Sequence, residues 1–282
     1  MSGLDTFQHP TAVGVAPNGG RRTKADHPTV PLSAAELART AAECLAAGCA
    51  MIHLHVRDRD GRHILDQAAY TDAIKAIRRE VGDRIVIQIT SEALGIYKPK
   101  TQMSVVKAVR PEAVSLALRE LAPTAEAEPA FGAFLEWLRR EGVAPQIILY
   151  TPEEAVRLGE LQRRGTVPFG DLPVLYVLGR YTAGQTSQPR DLLPFLAEGM
   201  PRFGHWTTCA FGRHEAACAT AAALMGGHMR VGFENNLLLP NGDTAPSNAA
   251  LVAICADSVR ALGLRLATAD DMRTAWHAVL GS

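Results

Sequence analysis

Three observations predict a closed (β/α)8 barrel, the TIM-barrel fold, with its working end where the strands finish. The chain carries eight short apolar runs rich in β-branched residues, a longer amphipathic segment after each, and a polar or charged cluster at the end of almost every run. In order, the runs are TAVGVA (11–16), CAMIHLH (49–55), RIVIQIT (84–90), AVSLAL (113–118), QIILY (146–150), VLYVLG (174–179), HWTTCAF (205–211) and MRVGFE (229–234). Helices fit between them over 34–47, 67–80, 101–109, 126–141, 152–164, 190–198, 214–225 and 247–262. Ser33 followed by Glu36 reads as a capping box for the first, and Gly48 and Gly142 stand where C-terminal caps belong. The tail 268–280 reads as one extra helix, lying on the barrel or on a neighbouring subunit. A doubly wound open sheet is the competing architecture, but no Gly-x-Gly-x-x-Gly follows the first run and no Pro- or Gly-rich linker divides the chain.

At 282 residues, with 47% hydrophobic and 21% charged residues, the chain suits one barrel domain spanning 1–282. Lys and Arg total 29 and so do Asp and Glu, which leaves no basic field for nucleic acid or an anionic membrane surface. The opening MSGLDTFQHP has no charged start followed by an apolar stretch, and no run approaches a membrane span, so a cytoplasmic protein is expected. Cys44, Cys49, Cys209, Cys218 and Cys255 contain no Cys-x-x-Cys pair and read as buried thiols, with Cys209 of interest near a strand end.

The polar residues that close the runs list what lines the barrel mouth. They are Asn18, Gly19, Gly20 and Arg21; His53, His55, Arg57 and Asp58; Gln88, Thr90, Ser91 and Glu92; Ser115, Arg119 and Glu120; Tyr150; Arg180 and Tyr181; then Arg230, Glu234, Asn235 and Asn236. Side chains two apart on a strand share a face, so His53 and His55 are placed to grip one metal ion. The plainer reading is a strand end whose imidazoles bond loop carbonyls. Glu234 is the natural third ligand because the eighth strand returns beside the first two, and two imidazoles with one carboxylate leave a coordination position open. Zn2+ suits that set, and Mn, Co, Ni and Fe are alternatives. An ion pair of Glu234 with Arg57 or Arg230 is the competing role.

The stretches VAPNGGRRTKADHPTVPLS, AAGCAMIHLHVRDRDGRH, RIVIQITSEALG, RPEAVSLALRE, VLGRY and GGHMRVGFENN together resemble the β-keto acid cleavage enzyme family across nearly the whole chain. The resemblance implies zinc held by His53, His55 and Glu234, participation of Arg230 in the chemistry, and substrate carboxylate binding by Thr90 and Ser115; Asn18, at the end of the first run, is a further candidate for the substrate site. It implies conversion of a 3-keto acid and acetyl-CoA to acetoacetate and a new acyl-CoA, and a homo-oligomer in the form of a tetramer.

Two departures from that family bear on mechanism and specificity. Many relatives have Asp after the metal-binding Glu, whereas here Asn235-Asn236 follows Glu234, so an amide stands where a carboxylate would assist proton transfer. Asn235 can still position Arg230, while Glu92, Glu120, a metal-bound hydroxide or the substrate carboxylate remain as bases. The founding member receives a substrate amino group with acidic residues on the first and fifth strands, where this chain has Arg21 and Ile148. Arg21, with Arg22 and Lys24, then favours an uncharged or anionic substrate end or the CoA phosphates; a solvated basic loop is the plainer role. A CoA-independent metal-dependent aldolase or lyase and a non-catalytic ligand-binding barrel are the alternative functions.

Overall fold

A computed structural model describes residues 9–281, so most of the opening decapeptide lies outside the described residues. The barrel strands are β1 (Val13–Val15), β2 (Met51–Leu54), β3 (Val86–Thr90), β4 (Ala113–Ala117), β5 (Ala144–Leu149), β6 (Val174–Leu178), β7 (Trp206–Ala210) and β8 (His228–Val231). Each pairs in parallel with its neighbour, and β1 closes the cylinder by pairing with both β2 and β8, setting Gly14 opposite Met51 and Arg230. The expected barrel is therefore the observed one, although several strands stop short of their apolar runs because the last residues turn out of the ladder into the mouth. His55 sits just beyond β2, and Glu234 sits in a turn beyond β8.

The helices follow the expected order. Ser33 caps Ala34–Ala47 in a complete capping box with Glu36, and Gly48 and Gly142 close their helices in the left-handed conformation. The segment expected as one helix over 190–198 is a 3-10 turn, Pro189–Leu192, followed by the short helix Leu193–Leu196. Pro194 lacks the N–H that a continuous helix needs there. A small antiparallel hairpin, Val56–Arg57 with His63–Ile64, was not foreseen. Asp58 Oδ1 closes it by accepting from the N–H groups of Asp60 and Arg62 at 2.9 and 2.8 Å, and the charge-rich loop hides so short an alternation.

Strand alternation divides the core. Val15, Ile52, Leu54, Ile87, Ile89, Val114, Leu116 and Leu149 pack with the surrounding helices in the main core. At the N-terminal end of the barrel, Ala12, Met51, Val86, Ala113 and Ala144 pack against Ala267, Ala269, Met272 and Trp276. The extra helix, Ala269–Leu280, thus lies on its own barrel and plugs the bottom. Arg273 fastens it there: its Nε lies 2.5 Å from Glu112 Oε1, and its Nη1 donates to the Asp83 carbonyl at 2.7 Å. All five cysteines are free and buried. Among the described residues no helix is long and apolar enough to cross a membrane.

Candidate metal centre and active site

At the opposite end, a cavity of about 160 Å³ is lined on one side by Gly19, Arg21, His53, His55, Thr90, Glu92, Arg230 and Glu234. Ile148, Tyr150, Val177 and Phe211 form its other side. His53 Nε2 and His55 Nε2 lie 3.2 Å apart, and the two carboxylate oxygens of Glu234 lie 3.7 Å from one nitrogen each. These three ligand atoms fall within 4.8 Å of one another.

The surroundings fix which nitrogens are free to coordinate. Gln88 Oε1 faces His53 Nδ1 at 2.8 Å, while Gln88 Nε2 donates to Gln146 Oε1 and Gln146 Nε2 donates to Thr207 Oγ1, each at 3.1 Å. This buried relay orients the Gln88 carbonyl toward the ring, so Nδ1 carries the proton and Nε2 offers its lone pair. Burial pushes the His53 imidazole down to about 4, with Arg230 acting in the same direction, and burial drives His55 well below the ordinary histidine range, aided by His53 and His63. Two neutral nitrogens facing each other, and a buried Glu234 Oε2 without a hydrogen-bond partner, form a donor set suited to a divalent ion such as zinc. Neither imidazole bonds a loop carbonyl through its Nε2, which leaves the plainer reading of the pair without support.

Gly19 makes this close packing feasible. Its φ is +57°, and a Cβ there would meet Glu234 Cγ at 2.7 Å. Arg57 holds the same loop by donating to the carbonyls of Asn18, Gly19 and Arg22. Arg57 is therefore committed to backbone, and the cation beside Glu234 is Arg230, whose Nη2 lies 3.7 Å from Oε2 and 3.4 Å from Cys209 Sγ. The remaining Arg230 nitrogens, Nε and Nη1, are buried without partners. Burial, partly offset by Arg230, pushes the Cys209 thiol up to about 11.

Of the two glutamates considered as bases, Glu92 borders the cavity. Its Oε2 is 3.7 Å from His55 Nδ1 and its Oε1 is 3.3 Å from Arg21 Nη1. Burial pushes this carboxyl up to about 7, with Glu234 adding to the effect. Glu120 is instead occupied with the Ala93 N–H and Gln102 Nε2, at 2.9 and 2.8 Å.

The other expected site residues separate into two groups. Thr90, Arg21 and Ile148 line the cavity. Ser115 is in register with Thr90 and keeps a buried hydroxyl without a partner, but it does not border the cavity itself. Asn18 is also set back: Nδ2 donates to the Pro31 and His55 carbonyls, both at 2.9 Å, and Oδ1 accepts the His55 N–H. Its geometry orients a ligand-bearing residue and leaves no free amide for substrate. Asn235 is buried, with Nδ2 directed at Glu215 Oε1 at 3.5 Å and Oδ1 unpartnered.

Sequence reasoning missed His63, whose ring lies 5.1 Å from that of His55, and the Gln146–Thr207 relay. It also missed Glu215. A single acid in the first turn of EAACATAAAL, otherwise small and apolar apart from one Thr, was the available signal.

Comparison with known proteins identifies the family of the chain. The family model for beta-keto acid cleavage enzyme matches residues 10–277. The 3-keto-5-aminohexanoate cleavage enzyme of Fusobacterium nucleatum is 31% identical over 260 residues, covering 90% of this chain and 93% of that protein. The 3-oxoadipate:acetyl-CoA acetyltransferase of Cupriavidus necator is 26% identical, covering 94% and 93% respectively. Among solved structures, ObcA in ternary complex with a C4-CoA adduct and oxalate superimposes with a TM-score of 0.68 at 14% identity, over 89% of this chain and 68% of that one, a likeness of fold.

Proposed function

The chain belongs to the beta-keto acid cleavage enzyme family, and from that premise we propose that it converts a 3-keto acid and acetyl-CoA to acetoacetate and a new acyl-CoA at a zinc-bearing barrel mouth. The observation that carries this reading is the placement of His53, His55, Glu234, Arg230 and Glu92 around one cavity. His53, His55 and Glu234 would hold Zn2+, which when bound supplies a Lewis acid for negative charge developing on a ketone oxygen. Glu92, which borders the cavity with Oε2 3.7 Å from His55 Nδ1, is placed to take the proton from the carbon between the two carbonyls. The unpartnered Nε and Nη1 of Arg230 are donors for a carboxylate or oxyanion, and Thr90 brings a hydroxyl to the same cavity.

The opposite wall sets the kind of acid. Ile148 and Val177 bring no carboxylate to the cavity, and Arg21 stands at its rim, so this reading takes an uncharged or anionic substrate end. Homo-oligomeric assembly, as a tetramer, belongs to the same reading and is measured by light scattering.

The test is a thioester assay over a panel of 3-keto acids with metal analysis of the same sample. Acyl-CoA and acetoacetate should appear only when acetyl-CoA and a 3-keto acid are both present. Cleavage without CoA would assign an aldolase or lyase, and ligand binding without turnover would assign a binding barrel.

A further inference from the structure

Glu234 lies outside the β8 ladder, so another part of the fold must hold it toward the two imidazoles. Its own N–H bonds the Ala16 carbonyl at 3.0 Å. Two buried polar side chains fix the rest of the turn. Asn248 accepts the Phe233 N–H at 2.9 Å and donates to the Pro17 carbonyl at 3.1 Å. Glu215, 1% exposed at the start of the helix Glu215–Leu224, accepts the Gly232 N–H at 3.0 Å, Asn236 Nδ2 at 3.3 Å and Asn235 Nδ2 at 3.5 Å.

The direction of these bonds matters. Asn236 Nδ2 also donates to the Leu238 carbonyl at 2.6 Å while Oδ1 accepts the Leu238 N–H at 3.0 Å, which orients the amide with its donors toward Glu215. Three donors thus converge on one pair of oxygens. Burial raises the Glu215 carboxyl, and with the opposing pull of these donors included it stands at about 8. Nothing in the small, apolar remainder of the helix requires an acid, and a buried acid is costly unless such donors meet it.

We propose that Glu215 is a positioning residue for the metal-binding carboxylate of Glu234: from its helix it supplies the carboxyl group that position 235 lacks, and it locks the 232–236 turn so that Glu234 faces His53 and His55. This rests on His53, His55 and Glu234 being the ligand set. Loss of an outer-shell partner of this kind costs about 10- to 100-fold in metal affinity or activity.

The experiment compares Glu215→Gln, Asn235→Asp and the double variant with the wild-type protein, using zinc titration against a chromophoric chelator, steady-state kinetics and a thermal scan. Glu215→Gln turns an amide donor toward other donors, and Asn235→Asp sets one carboxylate against another. Each single change should lower zinc affinity by about 10- to 100-fold and reduce kcat with it, leaving KM for acetyl-CoA unchanged. The double variant exchanges acid and amide, and should recover most of the zinc affinity. Wild-type affinity in Glu215→Gln would overturn the proposal, because the second acceptor oxygen of Glu215 would then not be needed to hold the turn. A double variant no better than its parents would overturn it equally. If Glu215→Gln does not fold, recovery of the Asn235→Asp defect by the added Glu215→Gln change supports the proposal and its failure refutes it. A wild-type protein that takes up no zinc would remove the ligand set itself, a failure visible before any variant is made.

Discussion

The two ends of the barrel are built from the same strands and solve opposite problems. At the bottom, Met51, Val86 and Ala144 meet Met272 and Trp276, and the space is filled by apolar contact. At the mouth, His55 Nδ1, Arg230 Nε and Nη1, and Glu234 Oε2 are buried without a hydrogen-bond partner. An unpaired buried polar atom costs about 1–3 kcal/mol, so the mouth is held against its own preference by the rest of the fold. The difference teaches where each property resides: the plug contributes stability, and the polar mouth keeps groups ready for a ligand.

This division is exposed to test by substitutions at the two ends. The largest effect is expected at the mouth. His53→Ala should abolish metal uptake and lower kcat/KM more than about 100-fold, beyond the usual loss of an outer-shell partner, while the thermal midpoint of the metal-free protein changes little. Normal turnover by that variant would remove the proposed electrophile from the chemistry. At the bottom, Trp276→Ala should cost about 3–5 kcal/mol of stability by denaturant unfolding and leave kcat of the folded fraction unchanged. A matching loss of kcat would show that the ends are coupled.

A smaller effect sharpens the contrast within the mouth itself. Ile148→Glu places an acid on the wall that has none, and should move preference toward amino-bearing 3-keto acids by about tenfold, the worth of roughly 1.4 kcal/mol. An unchanged substrate profile would mean that the acyl end binds elsewhere.

Legibility followed the range of the interactions. The eight strands and the chief helices were readable because periodicity and capping are local, as Ser33 with Glu36 illustrates. The candidate ligand trio was readable because two members share the segment HLH and the third closes the last strand's run. Asn18 and Glu215 were not interpretable in the same way. Asn18 carries the polar character of a substrate residue, yet its amide is committed to Pro31 and His55. Glu215 precedes the turn it holds by 17 residues at Gly232, and no local pattern joins them. The hairpin bearing His63 escaped because two residues per strand are too few to display an alternation.

Alternation of apolar runs with amphipathic segments, by itself, determined the closed barrel, the end at which polar residues collect, and the residues able to bind a metal. These follow from side-chain periodicity and hydrophobic burial, which act along the chain. Only the tertiary structure decided that Arg230 rather than Arg57 stands beside Glu234, that Glu92 rather than Glu120 faces the cavity, and that the last helix plugs its own barrel. Those choices depend on which buried donors and acceptors meet across closed strands, and a hydrogen bond is set by distance and direction in space, which sequence separation does not record.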